Sequence, residues 1–288
     1  MANVSSTEKR VRIVRALVEG NSIRATARMT PCSKNTVTKL LVELGEACSR
    51  YQDEALRDLP CRRLQLDEIW SFVAMKEKTA KRKGLDRPAK VGDTWTWTAI
   101  CADTKLVPSW MVGQRDARTA NAFVEDVAGR LRGLPQVTTD GLNVYLEAVE
   151  SAFGMNVDYA MLIKLYGPAG DGEGQERRYS PATVKGIVIE KIQGEPDPAH
   201  IATSYVERQN LTMRMSMRRF TRLTNGFSKK EENHADAVSL HYFHYNFIRP
   251  HQTLTENAGG TPTTPAMAVG VATRPYTWEW AIEHLLSN

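Results

Sequence analysis

Three acidic side chains stand at positions where carboxylates often do chemistry. Asp67 lies inside an apolar, strand-like segment, where a lone carboxylate is unfavourable unless something binds it. Asp140 ends a short strand-like segment and precedes a glycine, the place where α/β sheets usually present functional groups. Glu207 lies on a predicted long helix. Carboxylates brought together repel one another, so either one of them takes up a proton or a cation enters.

A site made only of carboxylates predicts a particular class of cation. All-oxygen ligand sets suit Mg²⁺ or Mn²⁺, which also bind substrate phosphates. Two such ions can stabilise the entering and leaving oxygens of a phosphodiester displacement. Spacing alone leaves a plainer alternative open for each acid: an ordinary strand-end aspartate, a helix-surface glutamate, or a strand acid paired with an arginine.

Basic residues are concentrated in two segments of a chain whose formal net charge is +5. Residues 208–230 hold seven Lys or Arg and no acid, and residues 76–90 hold seven against two acids. A single charged run is often only a solvated helix face or loop. Two such runs flanking acidic motifs favour a nucleic acid as the partner.

The predicted helix over residues 200–222 combines acid and base on one stripe. At 100° per residue, Asn210, Arg214 and Arg218 follow Glu207 within a narrow arc, beside an apolar arc that would bury the helix. The stripe therefore predicts an acid followed by phosphate-binding cations.

The first fifty residues predict three short helices. Ser22 and Ser33 are suitable N-caps for the second and third helices, and a tight turn separates these two. This spacing is typical of a helix-turn-helix, whose last helix enters the major groove of DNA by its first residues. The residues that would face DNA are Lys34, Asn35, Thr38 and Lys39. The alternative is a plain three-helix bundle whose polar face is only solvated.

After Pro60 the apolar pattern changes from a helical to an alternating period, which predicts an α/β domain. Tryptophans mark its strands: Trp95 and Trp97 alternate with threonines and so share a face. We interpret them, with Trp70 and Trp110, as core or sheet cover rather than as base-stacking platforms. The predicted strands are 63–75, 94–102, 106–113, 136–139 and 157–165, and the predicted helices are 119–131, 143–153, 200–222 and 230–248, with a strand at 186–192 inside an insertion at about 167–198.

Length and composition fit one core-bearing domain with a small accessory module. The boundaries we predict are a helix-turn-helix domain at 1–50, a linker at 51–61, a catalytic domain at 62–254 and a tail with a short helix at 255–288. No apolar run is long enough to span a membrane, and no signal-peptide core is evident. Four scattered cysteines favour reduced thiols. We expect a cytoplasmic protein, associated with the nucleoid when bound to DNA.

Five segments carry a family resemblance. They are LQLDEIWSFV at 64–73, VTTDG at 137–141, SYVERQNLTMRMSMRRFTRLTNGFSKK at 204–230, YFHYNFIRPHQTL at 242–254 and TPAMAVGV at 264–271. Together they resemble bacterial insertion-sequence DDE transposases, and among these the insertion-sequence-one-like family. The resemblance implies a ribonuclease-H-like mixed sheet with flanking helices, two divalent ions, and cleavage and strand transfer at the ends of an element.

Carried over to this chain, the catalytic and metal-binding triad falls on Asp67, Asp140 and Glu207. The gap of 67 positions between the last two acids is longer than is usual in the family. The insertion at 167–198 would account for it, although it also contains two rival acids, Glu173 and Glu176. We favour Glu207 because it begins the E-x-x-N-x-x-x-R pattern on a strong helix.

The resemblance also implies partners. We expect double-stranded DNA, both element ends and target, and a homo-oligomer assembled on it, with no membrane and no nucleotide cofactor. Besides the helix-turn-helix, the predicted DNA contacts are Asn210, Arg214, Arg218, Arg219 and Arg222. Two alternatives are a transposase-derived DNA-binding regulator without catalysis and a metal-dependent nuclease that does not join strands.

Overall fold

Six strands form one mixed sheet, which orders the rest of the fold. The computed structural model describes residues 5–85, 91–167, 184–221 and 225–286. The strand order is β3-β2-β1-β4-β5-β6; β1, β4 and β5 run parallel, and β2, β3 and β6 pair antiparallel with their neighbours. The strands are β1 (Arg63–Val73), β2 (Gly92–Cys101), β3 (Trp110–Gly113), β4 (Gln136–Thr139), β5 (Asp158–Tyr166) and β6 (Val184–Gln193).

Helices cover both faces of the sheet. The helices are α1 (Thr7–Val18), α2 (Ile23–Met29), α3 (Lys34–Ala55), α4 (Glu77–Arg82), α5 (Ala117–Ala128), α6 (Val144–Phe153), α7 (Ser204–Ser216), α8 (Glu231–Phe243), α9 (Gln252–Asn257), α10 (Pro265–Ala268) and α11 (Trp278–Leu285). The α/β class with a mixed sheet between helices is as predicted. None of these helices is both long and apolar enough to cross a membrane.

Alternation along β1 decides which side chains meet which helices, since successive residues of a strand point to opposite faces. On one face, Leu66 packs in a core with residues of α5 and α6. On the other face, Ile69 packs in a second core with Val206 and Met213 of α7. Asp67 shares the α7 face and Glu68 the opposite one.

The three N-terminal helices form at the predicted places. The hydroxyl groups of Ser22 and Ser33 accept hydrogen bonds from the third residue beyond each of them, at 3.1 Å and 3.0 Å, which caps α2 and α3. The third helix is much longer than predicted, because it continues through Ala55 into the segment 51–61 that we predicted as a linker.

Contact with α8 holds α3 against the sheet domain. The Ser239 hydroxyl donates to the carbonyl oxygen of Gly45 at 2.8 Å, and the Gln52 amide donates to the carbonyl oxygen of Ser239 at 3.2 Å. At Gly45 the helices approach so closely that an added Cβ would lie 2.6 Å from the carbonyl oxygen of Asp236. The N-terminal helices and the sheet domain therefore share one interface without solvent between them.

The C-terminal helix α11 closes over the N-terminal helices from outside. Arg15 of α1 forms an ion pair with Glu279 at 3.0 Å, and the hydroxyl groups of Tyr51 and Tyr276 are hydrogen-bonded at 2.9 Å. Trp278 of α11 lies in the same apolar core as Val11 and Leu44. Residues far apart in sequence thus complete a single core.

Several predicted element bounds are wrong. The helix predicted over 200–222 ends at Ser216 and is followed by a 3-10 turn, Arg218–Phe220, so Arg218 does not continue the stripe of Glu207. The basic loop after β1 contains α4, which was not predicted. The strand predicted at 186–192 is confirmed as β6, an edge strand that is slightly longer than predicted and pairs with β5. Glu173, Glu176 and Arg222 lie outside the described residues.

We expect Gly45→Ala to destabilise the whole protein. Alanine is normally favoured over glycine inside a helix by about 1 kcal/mol. Here the new methyl group would meet backbone atoms of α8, so overpacking should prevail and lower the free energy of unfolding by about 1–3 kcal/mol. Urea denaturation measures this change. Gly129→Ala is the control, because an added Cβ at this exposed position meets nothing closer than 3.5 Å. Equal or greater stability of Gly45→Ala would contradict the close helix contact.

Candidate metal centre

Two strands bring three carboxylates together near the centre of the sheet. Asp67 and Glu68 are neighbours on β1, and Asp140 directly follows β4, which pairs in parallel with β1. One oxygen atom of each carboxylate lies within 4.8 Å of the others. The sequence pointed to Asp67 and Asp140; the structure adds Glu68.

Hydrogen bonds fix the two aspartates. The backbone N–H of Glu68 donates to Asp67 Oδ1, and Asn210 Nδ2 of α7 donates to Asp67 Oδ2, both at 2.8 Å. The backbone N–H of Leu142 donates to Asp140 Oδ1 at 3.0 Å. Each aspartate therefore keeps oxygen lone pairs directed away from these donors, as a metal ligand must.

The three carboxylates carry more negative charge than their partly buried surroundings compensate. Burial, and then the neighbouring charges of Glu68 and Asp140, raise the pKa of Asp67 to about 7. Burial also raises the pKa of Asp140 above its ordinary value. Carboxylates that hold protons this strongly are those whose charge is incompletely compensated, and a divalent cation would compensate it.

Glu68 is the most enclosed of the three acids, with its side chain 2% exposed. Arg115 Nε donates to Glu68 Oε1 at 2.7 Å and the Tyr145 hydroxyl donates to Oε2 at 3.2 Å. Burial raises the pKa of Glu68, and Arg115 opposes that change. Sequence reasoning missed Glu68, although a second acid beside Asp67 in an apolar strand was a visible signal.

Glu207 stands beside this cluster, outside the 4.8 Å group. Glu207 lies in the first turn of α7, and its negative charge contributes to the raised pKa of both Asp67 and Asp140. Its carboxylate receives hydrogen bonds from Lys164 Nζ of β5, 2.6 Å from Oε2, and from the Thr203 hydroxyl, 2.6 Å from Oε1. The Lys164 ammonium group therefore already pairs with the Glu207 carboxylate, and any other cation would have to compete with it.

The donor set fits a hard divalent cation. The cluster offers carboxylate oxygens only, which is the ligand type that Mg²⁺ and Mn²⁺ prefer. Asn210 is nine-tenths buried, and its Oδ1 has no hydrogen-bond partner although its Nδ2 contacts Asp67. A buried carbonyl oxygen without a partner is unfavourable, and a metal-bound water in reach would satisfy it.

A groove of about 860 Å³ lies between α2 and α3 on one side and residues 217–241 on the other. Of the described residues that line it, none is acidic. Its polar and basic lining comprises Asn21, Ser22, Arg24, Lys34, Asn35, Thr38, Arg218, Arg219, Asn225, Lys229, Lys230, Asn233 and His241. The predicted contacts Lys34, Asn35 and Thr38 thus face the same groove as Arg218.

Two of the basic residues predicted to contact DNA, Arg219 and Lys39, have other partners in the structure. Arg219 donates to the Ser228 hydroxyl at 2.6 Å, and burial lowers the pKa of its guanidinium to about 10. Lys39 is exposed and pairs with Glu43 at 3.5 Å, and it does not line the groove. Arg214 lies in the last turn of α7, on the same helix as Glu207.

No known protein family matches this chain, and no curated protein resembles it closely enough to count as a match.

We expect Asp67→Asn to stabilise the protein in neutral to basic solution without divalent ions. The folded state keeps the Asp67 proton up to a pKa of about 7, whereas the unfolded state loses it near 3.8, so wild-type stability falls as the pH rises between these values. Asparagine carries no charge to lose. Its Tm should exceed the wild-type Tm by about 4 °C at about pH 8, and by less at about pH 5.

Thermal unfolding in chelator measures both differences. Asp58→Asn is the control, since Asp58 is exposed and its partner Arg132 lowers its pKa, so this variant should show no gain at basic pH. An Asp67→Asn advantage that is the same at both pH values would contradict the raised pKa.

We expect Lys164→Gln to tighten Mn²⁺ binding if Glu207 is a metal ligand. Removing the ammonium group frees the carboxylate, and the dissociation constant measured by titration calorimetry should fall by about tenfold, equivalent to ~1.4 kcal/mol of lost competition. The double variant Lys164→Gln, Glu207→Gln should lose this gain. Unchanged affinity in the single variant would remove Glu207 from the ligand set.

Proposed function

We propose that this chain is a DDE-type DNA transposase, which cuts DNA at the ends of a mobile element and joins the freed end to a target strand. The observation that carries the proposal is the meeting of Asp67 and Asp140 from adjacent parallel strands, with Glu207 on a helix packed over β1. This arrangement on a sheet of order 3-2-1-4-5 is compatible with a ribonuclease-H-like core. The motif resemblance at residues 64–73, 137–141 and 204–230 supports the same assignment.

In this proposal Asp67 and Asp140 would hold two divalent ions, and Glu207 would serve as a further ligand. When bound, the ions would activate the attacking oxygen and stabilise the leaving oxygen of a phosphodiester displacement. Asn210 orients Asp67 through its amide, and Arg115 donates a hydrogen bond to Glu68 beside them. A water or a DNA 3′-hydroxyl is the nucleophile, so no covalent bond forms between protein and DNA.

The basic groove supplies the proposed DNA contacts. Phosphates are held by point charges along the groove, whereas bases are read by side chains at the start of a helix. Lys34 and Asn35 begin α3 and face the groove. In the proposed helix-turn-helix, formed by α2 and α3, α3 is the helix whose first residues would contact the bases. Arg218 lines the opposite wall. We propose that the groove holds the element end and that two or more copies assemble on it.

We expect Asp67→Asn or Asp140→Asn to abolish cleavage of a duplex that carries the element end. Each replacement removes a ligand of the proposed ions, while DNA binding should persist or tighten slightly because a negative charge near phosphate is lost. Cleavage should require Mg²⁺ or Mn²⁺ and stop with chelator. Gel assays of cleavage and binding measure the two effects separately.

The outcomes separate the alternatives. Cleavage that persists in either variant contradicts the site. DNA binding without cleavage in the wild type would indicate a regulator derived from a transposase. Cleavage without joining of a pre-cleaved 3′ end would indicate a nuclease, and a strand-transfer assay with a labelled target decides this.

We expect Lys34→Ala and Arg218→Ala to weaken duplex binding through lost phosphate contacts. Each should reduce the slope of log K against log salt by about 0.9, the contribution of one neutralised phosphate. Fluorescence anisotropy at several salt concentrations measures the slope. The control is Arg132→Ala, which removes an equal charge from an exposed residue that pairs with Asp58 away from the groove. A slope that falls equally in the control would contradict a specific role for the groove.

A further inference from the structure

A strip of aromatic side chains leads away from the candidate metal centre along the β1–β2 hairpin. Strand β4 pairs with β1 only at Arg63–Gln65, so the rest of β1 has β2 as its single partner strand among the described residues. Because strand side chains alternate, Trp70 and Phe72 share the face of Glu68. Neither Trp70 nor Phe72 belongs to the core that Leu66 forms with α5 and α6.

Three rings of this strip contact one another, and all four rings of the strip are partly buried. Trp70 lies opposite Trp95 in the β1–β2 register. The ring centroids of Trp70 and Phe72 are 5.7 Å apart, and those of Phe72 and Phe227 are 5.1 Å apart. All four rings keep part of their surface in solvent. We call Trp70, Phe72, Trp95 and Phe227 the aromatic strip.

The other strand tryptophans are different. Trp97 is fully buried and packs against the rings of Phe123 and Tyr145, and Trp110 stacks on Tyr242. Our interpretation of the tryptophans as core or sheet cover is therefore confirmed for Trp97 and also fits Trp95, which is partly buried against the same core. Trp70, Phe72 and Phe227 belong to no apolar core cluster of the described residues, and part of each ring stays open to solvent.

Cations accompany the aromatic strip at both ends. The Arg115 guanidinium lies 4.9 Å from the Trp95 ring centroid while its Nε donates to Glu68. The Lys76 ammonium lies 5.7 Å from the Trp70 ring centroid. Aromatic faces interleaved with cations are what single-stranded nucleic acid requires, because bases stack on rings and phosphates pair with the positive groups.

We infer that the aromatic strip stacks unpaired bases of the DNA strand next to the phosphodiester that is cut. The inference rests on the proposed function, since the strip begins two residues from Glu68, about 7 Å along the strand from the carboxylate cluster. Continuity with the cluster and the exposed ammonium group of Lys76 favour DNA over an apolar protein partner. A duplex whose last base pairs open at the cut site would place its bases on the strip and its phosphate at the acids.

The test compares two DNA substrates with the full-length protein in chelator, so that no strand is cut. One substrate is a blunt duplex, and the other is the same duplex with three unpaired nucleotides that contain 2-aminopurine. The wild type should bind the forked substrate more tightly by about tenfold and quench the 2-aminopurine fluorescence, because stacking contributes substantially for each base.

Trp70→Leu should reduce the ratio of forked to blunt affinity by about fivefold and abolish the quenching, whereas Trp70→Tyr, which keeps a ring, should retain most of both. Trp280→Leu is the matched control, since Trp280 is also partly buried and stacks on another ring, that of His284, but lies on α11. Thermal unfolding of each variant establishes that it is folded.

Each outcome decides the inference. An unchanged ratio in Trp70→Leu, or an equal loss in Trp280→Leu, overturns the inference even when blunt-duplex binding and metal-dependent cleavage persist, and the proposed function then stands alone. Absence of binding to either DNA overturns both. A wild type that is dimeric without DNA and becomes monomeric in Trp70→Leu would show that the aromatic strip is a subunit interface and would also overturn the inference.

Discussion

The structure of the site depends on one constraint, the electrostatic repulsion among the carboxylates of Asp67, Glu68 and Asp140. Three carboxylates within 4.8 Å at partial burial cannot all ionise without compensation. The surrounding residues compensate only in part: Arg115 meets Glu68, and Asn210 offers Asp67 a neutral donor. Burial, and after it the remaining uncompensated charge, raises the pKa of Asp67, and the same charge is the reason for the affinity that we expect toward a divalent cation.

The acids stay close together because the strands and the helix that carry them pair or pack with one another. Strand β1 carries two of the acids, pairs with the strand that ends at the third, and lies beneath the helix that carries Glu207. Helix α8 packs on α3 through Gly45, and residues between α7 and α8 form one wall of the basic groove. The acids and the groove therefore belong to one continuous packed body, so the DNA that we propose for the groove would be oriented relative to the acids without a hinge.

Sequence patterns predicted the helices and strands well where the stabilising contacts join residues close in sequence. The bounds of β4 and the caps Ser22 and Ser33 were predicted because turn residues and hydroxyl caps act over a few residues. The length of α3 was not predicted, because its last turns are polar in sequence and gain stability from distant partners: Tyr51 contacts Tyr276, and Gln52 contacts Ser239.

The candidate site shows the same division. Asp67 and Asp140 could be selected from strand position alone. The pairing of Glu207 with Lys164 could not, since it joins residues 43 positions apart across β5 and α7. The partly exposed ring of Trp70 also escaped the pattern, because alternation gives the face of a residue but not whether that residue joins the apolar core.

The contact of α11 with α1 has a consequence for the order in which the chain matures. Arg15 and Glu279 are 264 positions apart, so the ion pair between them cannot form until the ribosome has added all of the residues between them. Until then α11 cannot cover the first three helices, and the apolar residues that pack against it are available to chaperones or to aggregation. The order of synthesis, rather than local helix formation, therefore determines when this part of the core is complete.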